Sequence, residues 1–134
     1  MILTKGFKSL VEEAEAQIET VPVEEAISLI DNADTKLVDL RDIRELWKLG
    51  TIPGALHAPR GMLEFWIDPD SPYHRKVFSS GKKLLFFCAA GWRSALATKT
   101  VQDMGLTSVA HIGGGFTAWI KANGPIEDKM SKQL

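Results

Sequence analysis

The stretch that decides the fold is KLLFFCAAGWRS, which runs from Lys83 to Ser94 and contains the only cysteine of the chain. Its first part, Lys83–Phe87, is an apolar run of strand length, and the loop after it leads into a helix predicted over Ser94–Met104. A strand that is apolar on both faces is typical of a parallel sheet covered by helices. The stretch therefore predicts an α/β fold with Cys88 at the carboxyl end of a central strand, where such folds bind ligands.

Short apolar segments alternate with amphipathic ones along the rest of the chain. Strands are predicted over Lys36–Leu40, Ala55–Ala58 and Val109–Ile112, and helices over 7–18, 23–30, Asp42–Leu49 and Phe116–Ala122. This order predicts a central, mainly parallel sheet of about five short strands with helices on both faces. We expect three parts: an N-terminal amphipathic helix packed on the domain (1–20), the domain itself (21–126) and a C-terminal tail (127–134).

The loop after Cys88 has features that favour a reactive thiolate. Two alanines and Gly91 leave the backbone N–H groups accessible, and the positive end of the following helix favours an anion. Arg93 places a cation at the helix start, which is unfavourable unless it faces an anion. The thiolate is the nucleophilic form of cysteine. A lone cysteine that ends an apolar run can also be a small buried hydrophobe, and the residues alone leave that alternative open.

Composition excludes several classes of protein. With 134 residues and 45% hydrophobic side chains, the chain predicts one domain with a real core. No apolar run is long enough to span a membrane, and the N-terminal residues resemble neither a secretory signal nor a mitochondrial presequence. A single cysteine forms no intramolecular disulfide, which fits a reducing compartment and predicts a cytoplasmic protein. We therefore expect no contact with membranes.

Charge is unevenly distributed, although the net charge is −1. Residues 11–35 carry eight acidic side chains and no Lys or Arg, whereas 36–134 carry fourteen basic against nine acidic ones. One interpretation is that the net positive charge of residues 36–134 attracts a small dianion. The alternative is that the acidic side chains of 11–35 form the solvated faces of two helices. Basic residues are not clustered with aromatic ones, so no nucleic-acid partner is predicted. The three histidines lack ligand spacing, so no metal site is predicted.

Several separated motifs resemble those of one family, the rhodanese (thiosulfate sulfurtransferase) domains. They are CAAGWRS at 88–94, VDLR at 38–41, GTIPGALH at 50–57, HIGGGFTAW at 111–119 and NGP at 123–125. The resemblance covers about residues 20–126. Two departures are visible: the family commonly has a histidine at the position of Thr51, and often has basic residues where this chain has Ala89 and Ala90.

The resemblance implies an enzyme that moves a sulfane sulfur from thiosulfate, or another persulfide donor, to cyanide or a thiol. Cys88 would be the catalytic nucleophile and would carry the sulfur as a persulfide, with no other cofactor. The substrate-binding loop would be formed by Ala89, Ala90, Gly91, Trp92, Arg93 and Ser94. The implied partners are a small anionic sulfur donor and a thiol or dithiol acceptor, with a thioredoxin-like protein as one candidate.

Arginines near the motifs are candidates for binding the anionic donor. Arg93 would face the donor, or else lie in solvent or pair with a carboxylate such as Asp39. Candidates for a second anion contact are Arg41, Arg44 and Arg60. Asp39 and Arg41 look like the family's structural pair, and Trp92 either lines the pocket or shields the loop. The triple glycine at 113–115 lacks phosphate-loop spacing and predicts a tight turn before the last helix.

Two alternatives to a sulfurtransferase remain at this level. Cell-cycle dual-specificity phosphatases are similar in fold and also use a Cys loop that ends in Arg, but their loop has one residue more. Here four residues separate Cys88 from Arg93, a tighter cradle that favours a single sulfur atom over a phosphate or arsenate group. A non-catalytic sulfur-binding or regulatory module is the other alternative, although such domains typically lose the cysteine.

Overall fold

The computed structural model describes residues 1–130 and contains one five-stranded sheet. All strand pairings are parallel, and the strand order is β1-β5-β4-β2-β3. The strands are β1 (Glu19–Val21), β2 (Thr35–Asp39), β3 (Leu56–His57), β4 (Lys83–Phe87) and β5 (Val109–Ile112). The predicted α/β fold is confirmed, and the strand that ends at Cys88 is the central one.

Within residues 1–130, six α-helices lie before, between and after the strands. They are α1 (Phe7–Glu15), α2 (Val23–Ser28), α3 (Ile43–Leu49), α4 (Leu63–Ile67), α5 (Trp92–Asp103) and α6 (Gly115–Lys121). Between Arg60 and Ser79 the chain is mostly irregular, with α4 flanked by two short 3₁₀ turns.

Alternation along β4 explains why its sequence is a continuous apolar run. Leu84 and Phe86 face one side of the sheet, in a core shared with α4 and α5. Leu85 and Phe87 face the other side, in a core shared with α2 and α6. Because both faces exclude water, every position of the strand gains from being apolar. Helices therefore cover both faces, as predicted.

The N-terminal segment differs from the predicted single helix. Helix α1 ends at Glu15 rather than at residue 18, and residues 19–21 form the edge strand β1. Val11 and Ala14 bury α1 against Ala95 of α5, so this helix packs mainly on another helix. β1 pairs with β5, and this pairing ties the N-terminal segment into the domain.

The C-terminal boundary also differs from the prediction. Glu127 and Thr51 exchange two backbone hydrogen bonds, with N···O distances of 2.9 and 2.8 Å. Residue 127 was assigned to a tail, yet this bridge fixes it against the turn before β3. The side chain of Thr51 also donates to Asp39, so this departure from the family pattern has a structural contact. Residues 131–134 of the predicted tail lie outside the described residues.

Candidate active site

Cys88 lies directly after β4, at the edge of the sheet where the parallel strands end. The chain turns at once into α5, and Gly91 makes this turn with a left-handed backbone, φ 104°. A side chain at that φ would be strained, which explains the glycine. The cysteine side chain is 1% exposed. The loop therefore closes tightly around the sulfur.

Backbone donors surround the sulfur atom. The N–H groups of Gly91 and Ser94 both point at Cys88 Sγ, with N···S distances of 3.2 and 3.4 Å. Gly91 is the N-cap of α5 and Ser94 lies in its first turn, and the dipole of this twelve-residue helix adds positive potential at the same point. N–H groups and the dipole both stabilise an anion more than a neutral group. The loop can therefore stabilise negative charge on the sulfur.

Helix α6 holds the same loop from its carbonyl side. The N–H of Phe116 donates to the carbonyl oxygen of Cys88 at 2.8 Å, and that of Thr117 to Ala89 at 3.0 Å. With these carbonyls bound to α6, the peptide groups of the loop are fixed in orientation. Gly115 makes the approach possible, because it has φ +59° and a Cβ there would lie 2.5 Å from the Cys88 oxygen. The glycine turn predicted before this helix therefore supports the cysteine loop.

A buried polar chain lies beneath the sulfur. Cys88 Sγ is 3.5 Å from Ser94 Oγ, which is 2.8 Å from His111 Nδ1. On the other side of the ring, His111 Nε2 is 3.1 Å from Thr20 Oγ1. Sequence reasoning missed His111 and Thr20 because it tested the histidines only for metal spacing. The signal available was the position of His111 in the last strand, next to the strand that carries Cys88.

Burial keeps the His111 ring neutral. Loss of solvent lowers the pKa of His111 from its ordinary 6.5 to about 4. The unfolded chain therefore binds a proton at a higher pH than the folded one, and stability is lost as pH falls from about 6.5 towards 4.

We expect His111→Asn to flatten this pH dependence. Between pH 7 and pH 5 the unfolding free energy of the wild type should fall by about 1–2 kcal/mol more than that of the variant. Urea denaturation at both pH values measures the difference, and the carboxylates common to both proteins cancel. Parallel losses of stability in the two proteins would contradict a neutral, buried His111.

Arg93 is bound by a carboxylate that the sequence did not single out. Its guanidinium contacts both carboxylate oxygens of Glu45, at 2.8 and 3.1 Å. Glu45 also accepts the backbone N–H of Asp42 in the capping box of α3, which fixes the carboxylate. Hydrogen bonding to Glu45 raises the pKa of Arg93, and the charge of the Cys88 sulfur adds a smaller rise. Arg93 is therefore half-exposed, paired, and close enough to the sulfur to interact with its charge.

Asp39 pairs with Arg41 and not with Arg93. Both side chains are 1% exposed, their closest N···O distance is 2.8 Å, and Arg41 also donates to the carbonyl of Gly50. Its guanidinium lies 4.3 Å from the ring centroid of Phe116. Arg41 is thus enclosed. The prediction that it makes a second contact with the anionic donor is wrong, because its side chain is not accessible to a ligand.

The other two candidates for a second anion contact also have carboxylate partners. Arg44 contacts Asp42 at 2.9 Å, and Arg60 contacts Glu64 at 2.8 Å. Neither guanidinium is enclosed, and nothing in these contacts directs either one to the cysteine loop.

The outer side of the loop carries an aromatic pair. Trp92 is 56% exposed, and its ring centroid lies 4.9 Å from that of Phe7 in α1. Ala90 is exposed and Ala89 half-buried, so neither adds a charge or a bulky group beside the sulfur. Trp92 and Phe7 cover the apolar join between α1 and α5.

Neither a metal-binding cluster nor a membrane-spanning helix is found among residues 1–130. No group of three His, Cys, Asp or Glu side chains is placed to hold a metal ion. Within the same residues, no helix combines the length and apolar character needed to cross a membrane.

Comparison with known proteins identifies the family. The sequence model of the rhodanese-like domain matches residues 22–122. The chain belongs to the rhodanese family. The predicted family resemblance is therefore confirmed.

Relatives of this rhodanese-like protein include a sulfurtransferase. This chain is 32% identical over 108 residues to thiosulfate:glutathione sulfurtransferase of Homo sapiens. The alignment covers 76% of this chain and 93% of the human protein. This chain is also 33% identical over 104 residues to a tRNA uridine(34) hydroxylase of Brucella anthropi, covering 77% of this chain but 32% of that longer protein.

A solved structure from Rhodopseudomonas palustris is similar over nearly the whole chain. Its TM-score is 0.92 at 53% sequence identity, with 95% of this chain and 98% of that one covered. It is described as a protein of unknown function and a possible tyrosine phosphatase. Proteins similar to this chain are thus named for different reactions: sulfur transfer, tRNA hydroxylation and possible phosphate hydrolysis.

Proposed function

We propose that the protein is a sulfurtransferase that moves a sulfane sulfur from thiosulfate, or another persulfide donor, to cyanide or a thiol through a Cys88 persulfide. The observation that carries the proposal is the pair of N–H groups, from Gly91 and Ser94, that point at the sulfur from the start of α5. The human relative named for thiosulfate and glutathione supports this choice of donor and acceptor.

The transfer takes place in two displacements. The Cys88 thiolate attacks the outer sulfur of thiosulfate, and the S–S bond of the donor breaks as sulfite leaves with the electron pair. Cys88 then carries a persulfide, whose terminal sulfur is attacked by cyanide or by the acceptor thiolate. Thiocyanate or a new persulfide leaves, and the Cys88 thiolate is restored. The loop N–H groups stabilise the anionic sulfur in each state, as an oxyanion hole stabilises oxygen.

The small space around the Cys88 sulfur favours a sulfur atom over a phosphate as the transferred group. Cys88 is nearly enclosed, and only four residues separate it from Arg93. A persulfide adds one atom to Sγ, whereas a bound phosphate needs N–H donors around three oxygens. The partners in this proposal are a small anionic donor and a thiol or dithiol acceptor, including a thioredoxin-like protein.

Mass spectrometry after incubation with thiosulfate tests the proposal. The wild type should gain about 32 Da, one sulfur atom, on the peptide that contains Cys88, and the gain should disappear when cyanide or glutathione is added. Aryl phosphate hydrolysis is measured in parallel, because the Rhodopseudomonas palustris relative suggests a phosphatase. Cys88-dependent phosphate hydrolysis without a persulfide would overturn the proposal in favour of the phosphatase.

Arg93 should favour the dianionic donor, even though Glu45 offsets part of its charge. We expect Arg93→Ala to lower kcat/KM for thiosulfate by about tenfold, the size of one charge-assisted contact, and Arg93→Lys to restore part of it. Lys99→Ala is the control, because it removes a paired cation from the same helix. Sulfite release measures all three. Wild-type values for both Arg93 variants would show that the anion is held elsewhere.

A further inference from the structure

The buried chain beneath Cys88 leads from the sulfur to the surface of the domain. Ser94 and His111 are at most 1% exposed, whereas Thr20 is exposed on the edge strand β1. Each neighbouring pair of polar atoms lies within hydrogen-bond distance, at 3.5, 2.8 and 3.1 Å from the sulfur outwards. The chain therefore connects an enclosed thiol to solvent by a route other than the mouth of the loop.

We propose that Ser94, His111 and Thr20 are positioning residues that form a proton relay, which carries the proton of the Cys88 thiol to solvent and then stabilises the thiolate. The relay rests on the proposed use of Cys88 as a nucleophile and does not depend on which substrate it attacks. It adds two side chains, His111 and Thr20, that lie outside the loop motif.

Each hydrogen-bonding group in the relay has two arrangements. With a neutral thiol, the S–H donates to Ser94 Oγ, the Ser94 hydroxyl donates to His111 Nδ1, and Nε2–H donates to Thr20. With a thiolate, the direction reverses: Thr20 donates to Nε2, Nδ1–H donates to Ser94, and Ser94 donates to the sulfur. Both arrangements give each polar side-chain atom of Ser94 and His111 a hydrogen-bond partner, as burial requires.

Protons balance in the change from one arrangement to the other. The thiol proton passes to Ser94 Oγ, the former hydroxyl proton of Ser94 passes to Nδ1, and the Nε2 proton passes to Thr20. The former hydroxyl proton of Thr20 then leaves to solvent. The imidazole exchanges tautomers and never needs to become a stable cation, which agrees with a ring that burial keeps neutral.

Among residues 1–130, the groups beside this row of hydrogen-bonding side chains include a competing acceptor and a fixed charge. The Ser94 hydroxyl also lies 3.3 Å from the carbonyl oxygen of Gly91, farther than from His111. Arg93 is the charged group near the sulfur, and Glu45 binds it from α3. Arg93 and Glu45 do not accept the proton of the Cys88 thiol. Arginine stays protonated, and the carboxylate of Glu45 is already bound by Arg93.

The tautomer of His111 gives the sharpest test. In protein labelled with ¹⁵N, long-range ¹H–¹⁵N NMR should show the ring proton on Nε2 at pH values where both the ring and the thiol are neutral, and on Nδ1 once Cys88 is ionised. In Cys88→Ala the same titration should leave the tautomer unchanged. A ring proton that stays on one nitrogen in the wild type while Cys88 ionises would overturn the relay.

Alkylation of Cys88 by iodoacetamide gives a second readout, since no other thiol reacts. At pH 7, Ser94→Ala should slow alkylation by about tenfold, and Thr20→Val by about threefold, because each removes a donor that stabilises the thiolate. Thr20→Ser should restore the wild-type rate. Thr100→Val is the control, because its hydroxyl bonds only to the carbonyl of Leu96 in the described structure.

The two Thr20 variants keep the test informative even if Ser94→Ala fails to fold, because Thr20 lies at the surface. Wild-type alkylation profiles in Thr20→Val, and in Ser94→Ala if it folds, would overturn the relay. Alkylation needs no sulfur donor, so its result is separate from the proposed function. Slower alkylation together with no persulfide from thiosulfate would support the relay and overturn only the sulfurtransferase.

Discussion

Cys88→Ala should abolish persulfide formation and lower sulfite release from thiosulfate by at least about a thousandfold, since no other thiol can accept the sulfur. The fold should survive, because alanine is accommodated where the buried cysteine side chain lies and leaves both backbone N–H groups in place. Circular dichroism and urea unfolding establish that the variant is folded, and mass spectrometry together with sulfite release measures the chemistry.

Cys88→Ser is the matched variant for this prediction. Serine keeps the size and the hydrogen-bond acceptor of the side chain but loses the soft nucleophile, so it should be as inactive as alanine. Turnover above about one hundredth of the wild type in either variant would show that the sulfur passes through another group, and the covalent mechanism would fall.

Gly115→Ala should destabilise the protein by at least about 3 kcal/mol and remove most of the transfer activity. The residue has φ +59°, and the added methyl group would lie 2.5 Å from the carbonyl oxygen of Cys88 and 2.7 Å from that of Ala89. Both contacts are with backbone, so neither can be relieved by turning a side chain. The loop must then move away from α6, and its N–H groups no longer point at the sulfur.

Gly61→Ala is the control for this substitution. Gly61 has no positive φ, and a methyl group there meets no atom within 4 Å. Urea unfolding and sulfite release are measured for both variants. If Gly115→Ala is as stable and active as Gly61→Ala, the close approach of α6 to the cysteine loop is not needed for either property.

Strands, helices and loops whose structure depends on residues close in sequence could be predicted from local sequence signals. The run Lys83–Phe87, apolar at four of five positions, predicted the central strand to the residue, and the helix predicted over Asp42–Leu49 matches α3 to within one residue. The loop between Cys88 and α5 was predicted from its glycine and its place after a buried strand. These features are encoded within a few residues of where they appear.

Features that depend on pairing across the sheet were missed. β1 has only three residues, two of them exposed, so its sequence carries no alternation that a strand prediction can use. Its pairing with β5 is what places Thr20 opposite His111. Likewise, the preference of Arg93 for Glu45 over Asp39 follows from how α3 lies beside α5, which no spacing along the chain reveals.

The edge position of β1 has a consequence for how the domain is delimited. The part of the chain that matches the rhodanese-like family begins at residue 22, one residue after β1 ends. A fragment cut at that boundary would keep every loop motif and the pairing of β5 with β4, but it would leave the other side of β5, which pairs with β1, without a strand. Such an open edge invites pairing with other chains. The three-residue strand Glu19–Val21 therefore covers the outer side of β5 and leaves only a short edge exposed, and the folded unit begins upstream of the point where family similarity begins.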